Sequence, residues 1–288
     1  MTRRIAVLFV GLAISASATS FQQIALDASA EALGSTATGI EARPGSALAN
    51  PALLPLLPQA GAHFLYHDWY GSGVQSKLAA WTQPWKSVGL SISWHRYGLD
   101  NLWTEDEVAI GLGSRFTALK REFSAGFRLR GLMVATPAYE GADGGKDPRG
   151  YALDLAFMIP LRERLNLSFL QKSLLRSELE FLEGGEVWPA APREGRLGLN
   201  YIWRSDLALI LEYRSEPGQD GQLLFGAEVR FFNAFHVRAG SGGDFATAGF
   251  GLRSARWQMD FAFQSRGRLG NNMSLSFSPL LAKKEARR

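Results

Sequence analysis

Beyond residue 60, apolar and polar side chains alternate along most of the chain. In one segment Trp257, Met259, Phe261 and Phe263 are separated by polar or small residues. Successive side chains of a strand point to opposite faces, so this period-two pattern predicts β-strands with one apolar and one polar face. About fourteen segments show the pattern, near 62–70, 73–82, 86–96, 105–116, 121–132, 149–159, 164–174, 194–204, 206–215, 221–232, 234–240, 245–253, 256–265 and 269–278.

The lengths of these segments and of the connections between them indicate a membrane protein. Most segments have about 8–12 residues, and a tilted strand needs about 9–11 to cross a bilayer. The two longest connections, 133–148 and 175–193, follow the fifth and seventh segments, whereas connections such as 204–206 after even-numbered segments are short. Long outer loops with short periplasmic turns are typical of outer-membrane barrels. We therefore predict an all-β fold, a transmembrane antiparallel β-barrel of about 14 strands over residues 61–278.

Aromatic residues lie near the ends of the predicted strands, where amphipathic rings can occupy the headgroup level of a membrane. Ordinary core aromatics of a soluble, exported β protein are the alternative interpretation. The residues concerned are Trp69, Tyr70, Trp81, Trp85, Trp94, Tyr97, Trp203, Tyr213 and Trp257.

The polar faces of the strands also carry charged residues. A charge facing lipid near the midplane would cost about 2–4 kcal/mol, so these side chains are expected to face the lumen of the barrel. The candidate lumen-facing residues are Arg128, Arg130, Asp154, Arg196, Glu228, Arg230, Arg238, Arg253 and Asp260.

Residues 1–20 have the pattern of a secretory signal peptide. Arg3 and Arg4 precede an apolar stretch, 5–14, that is too short to span a bilayer, and small residues follow it. Cleavage is expected near Ala18 or Ser20, so the mature chain would begin at about residue 19 or 21. A buried N-terminal helix is the alternative.

Residues 21–60 do not alternate and are expected to form a compact hatch, or plug, in the barrel lumen. Residues 25–33 could form a short helix, and 34–45 are rich in small and turn-forming residues. Pro55 and Pro58 stand among leucines, which argues against a continuing helix or a central strand there.

Two groups of motifs resemble the PorV/PorQ-like family of the FadL-like outer-membrane β-barrel superfamily. The N-terminal group is Ala32-Leu33-Gly34 followed by Asn50-Pro51-Ala52, with Leu53 at a position that is usually glycine in the family. The resemblance implies a fourteen-stranded barrel with an N-terminal hatch, whose motif residues here are Gly34, Asn50, Pro51 and Ala52. The C-terminal group runs in the family's order as 225–229, 237–240, 248–252, 260–263 and 269–270.

The last predicted strand resembles the insertion signal that barrel-assembly machinery recognises, with Gly270 before Met273, Leu275 and Phe277 at alternate positions. The chain departs from that pattern by continuing through residues 279–288. This tail contains Lys283, Lys284, Arg287 and Arg288, and it is expected to be a solvated periplasmic tail, with a docking tail as the alternative.

Composition excludes several other classes of protein. The chain has no cysteine, which excludes a disulfide scaffold and a thiolate metal site. The net charge of +4 includes Arg3 and Arg4 of the expected signal, and no basic patch is interleaved with aromatics, so nucleic-acid binding is not indicated.

The four histidines form no metal-binding pair, and there is no nucleophile elbow. His67 and Ser72 are loose candidates for a barrel lipase; we expect neither an enzyme nor a cofactor or metal.

Two functions remain open for such a barrel in the outer membrane of a Gram-negative-type bacterium. The first is passive transport of small hydrophobic or amphipathic molecules, with a hatch, a ligand pocket and a lateral opening at a kink in the wall. The second is a non-transporting accessory or scaffold for a secretion or surface-assembly system, acting through the loops 133–148 and 175–193. The second loop is acidic, with Glu178, Glu180, Glu183 and Glu186.

Overall fold

The computed structural model describes residues 20–21, 26–100, 102–118, 121–136, 147–181, 185, 187–267 and 270–281. Most of the expected signal, the basic residues of the tail, most of the loop after the fifth predicted strand, and Glu183 and Glu186 lie outside these residues.

Alternating side chains form strands where they were predicted, with bounds close to the expected ones. The strands are β1 (Gly61–Trp69), β2 (Val74–Trp85), β3 (Val88–Leu99), β4 (Trp103–Ala118), β5 (Arg121–Ala135), β6 (Arg149–Arg162), β7 (Leu165–Arg176), β8 (Glu178–Glu180), β9 (Val187–Pro189), β10 (Glu194–Arg204), β11 (Leu207–Ser215), β12 (Gln222–Phe231), β13 (Phe235–Gly242), β14 (Phe245–Arg253), β15 (Trp257–Ser265) and β16 (Asn271–Pro279).

Fourteen of these strands form a closed antiparallel barrel, in the order β1–β7, then β10–β16, with β16 paired to β1. The prediction of an antiparallel barrel of this size is confirmed. The strands β8 and β9 form a separate hairpin inside the segment 175–193, which was predicted to be a loop. Three-residue strands are too short for alternation to reveal them.

The two ends of the barrel differ in the length of their connections. At the end where β1 begins and β16 finishes, called the turn end, neighbouring strands are two or three residues apart. At the opposite end, called the loop end, β5 is followed by the segment 136–148, and β7 by the segment 177–193 that holds the β8–β9 hairpin. The expected sorting of loop lengths is therefore present in the fold.

The outer face of the wall is apolar and the inner face is polar or small. In β12, for example, Phe225 is exposed on the outside while Leu224 is buried and Glu228 fully buried on the inside. Trp81, Trp94 and Trp203 are also exposed on the outside. The expectation of a headgroup position is wrong for Trp69, which is buried, and its Nε1 donates to Ser76 Oγ at 2.9 Å.

The segment before the wall forms α1 (Ala28–Ala32), α2 (Pro44–Ala49) and a 3₁₀-helix, η1 (Pro51–Leu56). The expectation that proline excludes a helix here is wrong for Pro55, which lies inside η1. Pro51 occupies the first position of η1, where no donor is needed, whereas Pro55 leaves this short helix without one backbone donor. In the part of the chain that the structure describes, no helix combines the length and apolarity needed to cross a membrane.

Residues 26–60, called the plug, lie inside the barrel. The helix α1 packs against β13–β16 and η1 packs against β2–β6, so the plug touches most of the inner wall. Apolar contacts join the two parts, as where Leu33 and Ile40 pack with Ala208 and Ile210. This filled lumen contains the candidate site.

Candidate functional site

Glycines on the inner wall let the backbone of the plug come close. Gly89, Gly113 and Gly126 lie side by side on β3, β4 and β5 and face η1. A Cβ atom added at Gly126 would stand 2.5 Å from the carbonyl carbon of Pro51 and 2.8 Å from Ala52 N. Main chain therefore touches main chain here because the wall has no side chains in between.

The motif residue Gly34 makes a similar approach from the plug side. Its φ of +79° lies in the left-handed region, and an added Cβ would stand 2.5 Å from Phe225 O on β12. Its backbone N–H donates to Thr247 Oγ1 at 3.0 Å, and the same hydroxyl donates to Ala32 O. Both the backbone conformation and the space favour glycine at this position.

The second motif begins the 3₁₀-helix η1 and links it to the rest of the plug. Asn50 is fully buried; its Oδ1 accepts from Ala52 N at 3.1 Å, and its Nδ2 donates to Thr38 O at 3.0 Å. Thr38 in turn donates through N and Oγ1 to Glu212 on β11 at 2.8 and 2.7 Å. The Asn-Pro-Ala motif thus connects η1 to a charged residue of the wall.

A buried ion-pair network holds the middle of the plug to β12–β15. Glu228 is completely buried and accepts from Arg43 of the plug at 2.7 Å, from Arg238 at 2.6 Å and from Arg230 at 2.9 Å. We call this network the Glu228 cluster. Its members are Glu41, Arg43, Glu228, Arg230, Arg238, Arg253 and Asp260.

The cluster has more cations than anions, with four arginines for three carboxylates. Burial alone would raise the pKa of Glu41, but the guanidinium groups of Arg43 and Arg230 hold that pKa below its ordinary value. Burial disfavours charge on Arg43, but Glu228 and Glu41 outweigh this effect and raise its pKa above the ordinary value. Plug and wall are therefore joined by groups that are ionised at neutral pH.

A second network joins β4, β5 and β6 on the inner face. Glu107 is fully buried and accepts from Arg128 at 2.5 Å and Arg130 at 3.1 Å, and Arg130 reaches Asp154 at 3.0 Å. The pairing of β6 and β7 shifts register at Asp154, where Ser173 N donates to Asp154 Oδ1 at 2.7 Å. Arg130 also donates to Ser173 Oγ, so side chains fill this irregularity and the wall is closed there.

A third network lies nearer the loop end on β7, β10 and β11. Arg196 contacts Glu194 at 2.7 Å and Glu212 at 2.6 Å, and its Nη1 donates to Ser35 O of the plug. Lys172 and Arg214 each approach Glu194 to 2.7 Å. Side chains of three neighbouring strands are thus paired beside the plug, which Arg196 contacts at Ser35 and Glu212 contacts at Thr38.

Two histidines of β1 contact α1 and Leu26, which lies two residues before that helix. His63 contacts Leu26 O at 2.9 Å and Ser278 Oγ at 2.8 Å, and His67 contacts Glu31 at 3.0 Å. Ser72, the other loose candidate for a lipase site, donates to Trp69 O at the loop end, whereas His67 is buried against the plug. No group of three or more His, Asp or Glu side chains among the described residues is placed to hold a metal ion.

A cavity of about 100 Å³ lies between the plug and the loop end of the wall. Its floor includes Ala30 and Ala49 of the plug, and its walls include Trp69 and the charged side chains of Glu194 and Arg214. Pockets for drug-sized ligands have about 300–1,000 Å³, so this cavity suits only a small molecule. Its apolar and charged lining suits an amphipathic one.

The wall and the plug are joined through side chains. Within the described residues, every hydrogen bond between residues 26–59 and the strands has a side chain as donor or acceptor. The plug adds no strand to the wall. Its position consequently depends on a limited number of polar contacts and on close packing.

The structure places all nine candidate lumen-facing residues on the inner side of the wall and within the three networks. Met273, Leu275 and Phe277 face outward on β16, which closes the barrel against β1, and Gly270 precedes that strand with a φ of +101°. Sequence reasoning missed the partners Glu41, Arg43 and Glu107. Glu107 alternates along β4 with Ala109 and Gly111, and this alternation could have assigned Glu107 to the inner face. The plug residues do not alternate, so the sequence does not show which way their side chains point.

Comparison with known proteins identifies the fold. The Pseudomonas putida toluene transporter TodX superposes with a TM-score of 0.61 at 12% sequence identity, over 91% of this chain and 100% of that one. The monoaromatic hydrocarbon channel CymD gives 0.64 at 10% identity, over 92% and 100%. A Pseudomonas aeruginosa FadL homologue gives 0.57 at 12% identity, over 89% and 98%. No family model and no curated protein matches the sequence.

The chain therefore has the FadL-like fold, a closed fourteen-stranded barrel around an N-terminal segment. At these identities the likeness concerns the fold. The finer assignment to the PorV/PorQ-like family stays a prediction.

Proposed function

We propose that this chain is an outer-membrane barrel through which small hydrophobic or amphipathic molecules pass by diffusion. The outward band of aromatic and aliphatic side chains suits a lipid environment, and the FadL-like neighbours are described as transporters and channels. In this proposal the signal is removed near Ala18 or Ser20, and Gly270, Met273, Leu275 and Phe277 direct the barrel-assembly machinery.

One observation carries the transport proposal: the plug is held by side chains and not by strand pairing. Such a plug can shift while all fourteen strands keep their backbone hydrogen bonds. The cavity above α1 offers a small molecule arriving from the loop end a first binding place before the plug. The finer features, namely the ligand and its path past the plug, are part of the proposal.

The proposal is tested with the purified protein in liposomes that contain a trapped sensor for toluene, chosen as a small hydrophobic probe. We expect toluene to enter faster than in protein-free liposomes, while a charged sugar phosphate of similar size does not. Filling the cavity with Ala30→Trp should slow entry, because the new ring occupies the space beside Trp69. Ala234→Trp, in the connection between β12 and β13 at the turn end, far from the cavity, is the matched control. Equal toluene entry with and without the protein would contradict transport.

A second candidate function is that of an accessory protein for a secretion or surface-assembly system. The observation that favours it is the β8–β9 hairpin at the loop end, which exposes both Val187 and Trp188. Exposed apolar side chains on a polar loop are typical of a contact surface for another protein.

The accessory function predicts a partner that depends on this hairpin. Purification in mild detergent should recover another outer-membrane protein with the native chain and much less of it with Trp188→Ser. Trp203→Ser, on the lipid-facing wall, should leave the recovery unchanged. Recovery that is the same for all three proteins would exclude the hairpin as the contact surface.

A further inference from the structure

Glu105 differs from the other buried carboxylates of the wall. It lies near the loop end of β4 and is 3% exposed, yet no Arg, Lys or His in the described part of the chain is within ion-pair distance of it. An ionised carboxylate without a cation is costly in such a place. The other buried carboxylates of the strands each contact an arginine: Asp106, Glu107, Asp154, Glu194, Glu212, Glu228 and Asp260.

The partner of Glu105 is the backbone nitrogen of Phe21, which donates to Glu105 Oε2 at 2.6 Å. The contact is buried, and the Phe21 side chain is 3% exposed. The ring belongs to an apolar cluster formed by Leu132, Val134, Ala152, Leu179, Ala190 and Ala191. Residue 21 is thus held by its side chain and by its nitrogen together.

The backbone of Phe21 is unusual for a bulky residue. Its φ is +59°, in the left-handed region where a Cβ atom crowds the neighbouring carbonyl groups. The angle φ is defined by the carbonyl carbon of the preceding residue, Ser20. If the chain began at Phe21, this carbonyl would be absent and the conformation would have no such steric cost.

The residues before Phe21 suit cleavage at this bond. Ala18 and Ser20 stand three and one positions before it, and small residues at these positions are what a signal peptidase requires. The sequence alone offers a second bond, after Ala18. The contacts of Phe21 discriminate between the two, because only a chain that begins at residue 21 places a charged nitrogen beside Glu105.

We propose that signal peptidase cleaves between Ser20 and Phe21, and that Glu105 is the binding site for the α-ammonium group of the new N-terminal Phe21. In this hydrolysis the C–N bond between Ser20 and Phe21 breaks, and the oxygen of a water molecule bonds to the Ser20 carbonyl carbon. Both protons of the water end on the Phe21 nitrogen, so the products are a Ser20 carboxylate and a Phe21 ammonium group. An α-amino group has a pKa of about 7.7–8.0, so it is protonated at neutral pH. Processing itself then supplies the cation that Glu105 lacks.

This ion pair would fix the N-terminus of the processed chain at the loop end of the barrel. Leu179 of β8 and Ala190, just after β9, pack in the cluster around Phe21, so the same site also holds the hairpin in place. The inference rests on the export step of the proposed function and is independent of what the barrel transports.

The test uses the full chain expressed with its own signal and purified from outer membranes. Mass spectrometry of the N-terminal peptide is expected to show Phe21 as the first residue. A water-soluble acetylating ester at pH 7 then measures how fast the α-amino group reacts. Because a rise of one unit in its pKa leaves about tenfold less free amine, we expect at least about tenfold slower acetylation in the native protein than in the denatured one.

Two variants test whether the Glu105 carboxylate is what protects the Phe21 α-amino group from acetylation. Glu105→Gln should keep the same first residue and lose most of the protection, whereas Glu122→Gln, an exposed carboxylate near the turn end, should keep both. Native protein that is acetylated as fast as denatured protein overturns the proposal, even if Glu105→Gln does not fold. A first residue of Thr19 overturns it and leaves export intact, whereas a chain that still begins at Met1 contradicts export as well.

Discussion

Replacing Glu228 with glutamine is expected to lower the free energy of unfolding by about 3–5 kcal/mol, the usual cost of removing one partner from a buried ion pair. Glu228 has no exposed surface and accepts from three arginines, one of which belongs to the plug. In the variant, Glu41 and Asp260 would remain as the only carboxylates of the Glu228 cluster for its four arginines. The excess positive charge should loosen Arg43 and with it the middle of the plug.

Stability is measured in detergent by the temperature at which the compact barrel band converts to the unfolded band on a gel, together with guanidinium unfolding. Loosening of the plug is measured by cleavage after Glu41 with a glutamate-specific protease, since Ala42 follows Glu41 whereas the Arg43–Pro44 bond resists trypsin. Glu122→Gln is the control, since Glu122 pairs with Arg115 at 3.8 Å and its side chain is 64% exposed, where an ion pair contributes about 0–1 kcal/mol. If both variants unfold alike and resist the glutamate-specific protease alike, the Glu228 cluster does not hold the plug.

Replacing Gly126 with valine is expected to dislodge η1 from the wall. The Cβ atom alone would stand 2.5 Å from the Pro51 carbonyl carbon, and the main chain of η1 cannot yield as a flexible side chain would. Overpacking of this kind costs about 1–3 kcal/mol when the surroundings can adjust. Here the adjustment is a movement of the plug, so we expect a stable barrel with an opened lumen.

Conductance in planar lipid bilayers measures this opening, and we expect larger and longer open events than with the native protein. Gly131→Val is a closely matched control, because Gly131 lies on the same strand, β5, but its added Cβ would meet nothing nearer than Val108 O at 3.7 Å. Conductance that is unchanged in Gly126→Val, or raised equally by both variants, would show that the wall glycines do not seat the plug.

These two results would separate the forces that hold the plug. The Glu228 variant leaves the shape of the lumen unchanged and alters charge, whereas the Gly126 variant leaves the networks intact and alters shape. A plug released by the first change alone is held mainly by ion pairs. If only the Gly126 variant releases the plug, close packing is the main force that holds it. This result is expected for a permanently closed barrel with an accessory function.

Much of the wall could be predicted from the sequence because strand direction is a local property. In β15, Trp257, Met259 and Phe261 share one parity, and this parity alone assigns them to one face of the sheet. The same rule applied to Trp69 would have placed it on the inner face with His63 and His67. Its position at a strand end was the weaker signal, and relying on it led to the wrong assignment.

The candidate site was less accessible to sequence reasoning. The charges of Arg128 and Glu228 indicated a polar inner face, but their partners come from other strands or from the plug. The contact of Arg43 with Glu228 joins residues 185 positions apart, and no local pattern of the sequence encodes such a pair. The β8–β9 hairpin was missed for a related reason, since its strands are too short to alternate.

By itself, the sequence determined the class of fold, the number of strands in the barrel wall and, for most alternating side chains, the face to which each one points. These properties follow from the period-two geometry of a strand and from the cost of exposing charge to lipid. Only the tertiary structure decided how the plug is seated, because main-chain contact at Gly126 and the partner of Glu105 depend on closure of the barrel around residues distant in sequence. The physical reason is that strand periodicity acts over neighbouring residues, whereas ion pairing and close packing act only between groups that the folded wall brings together.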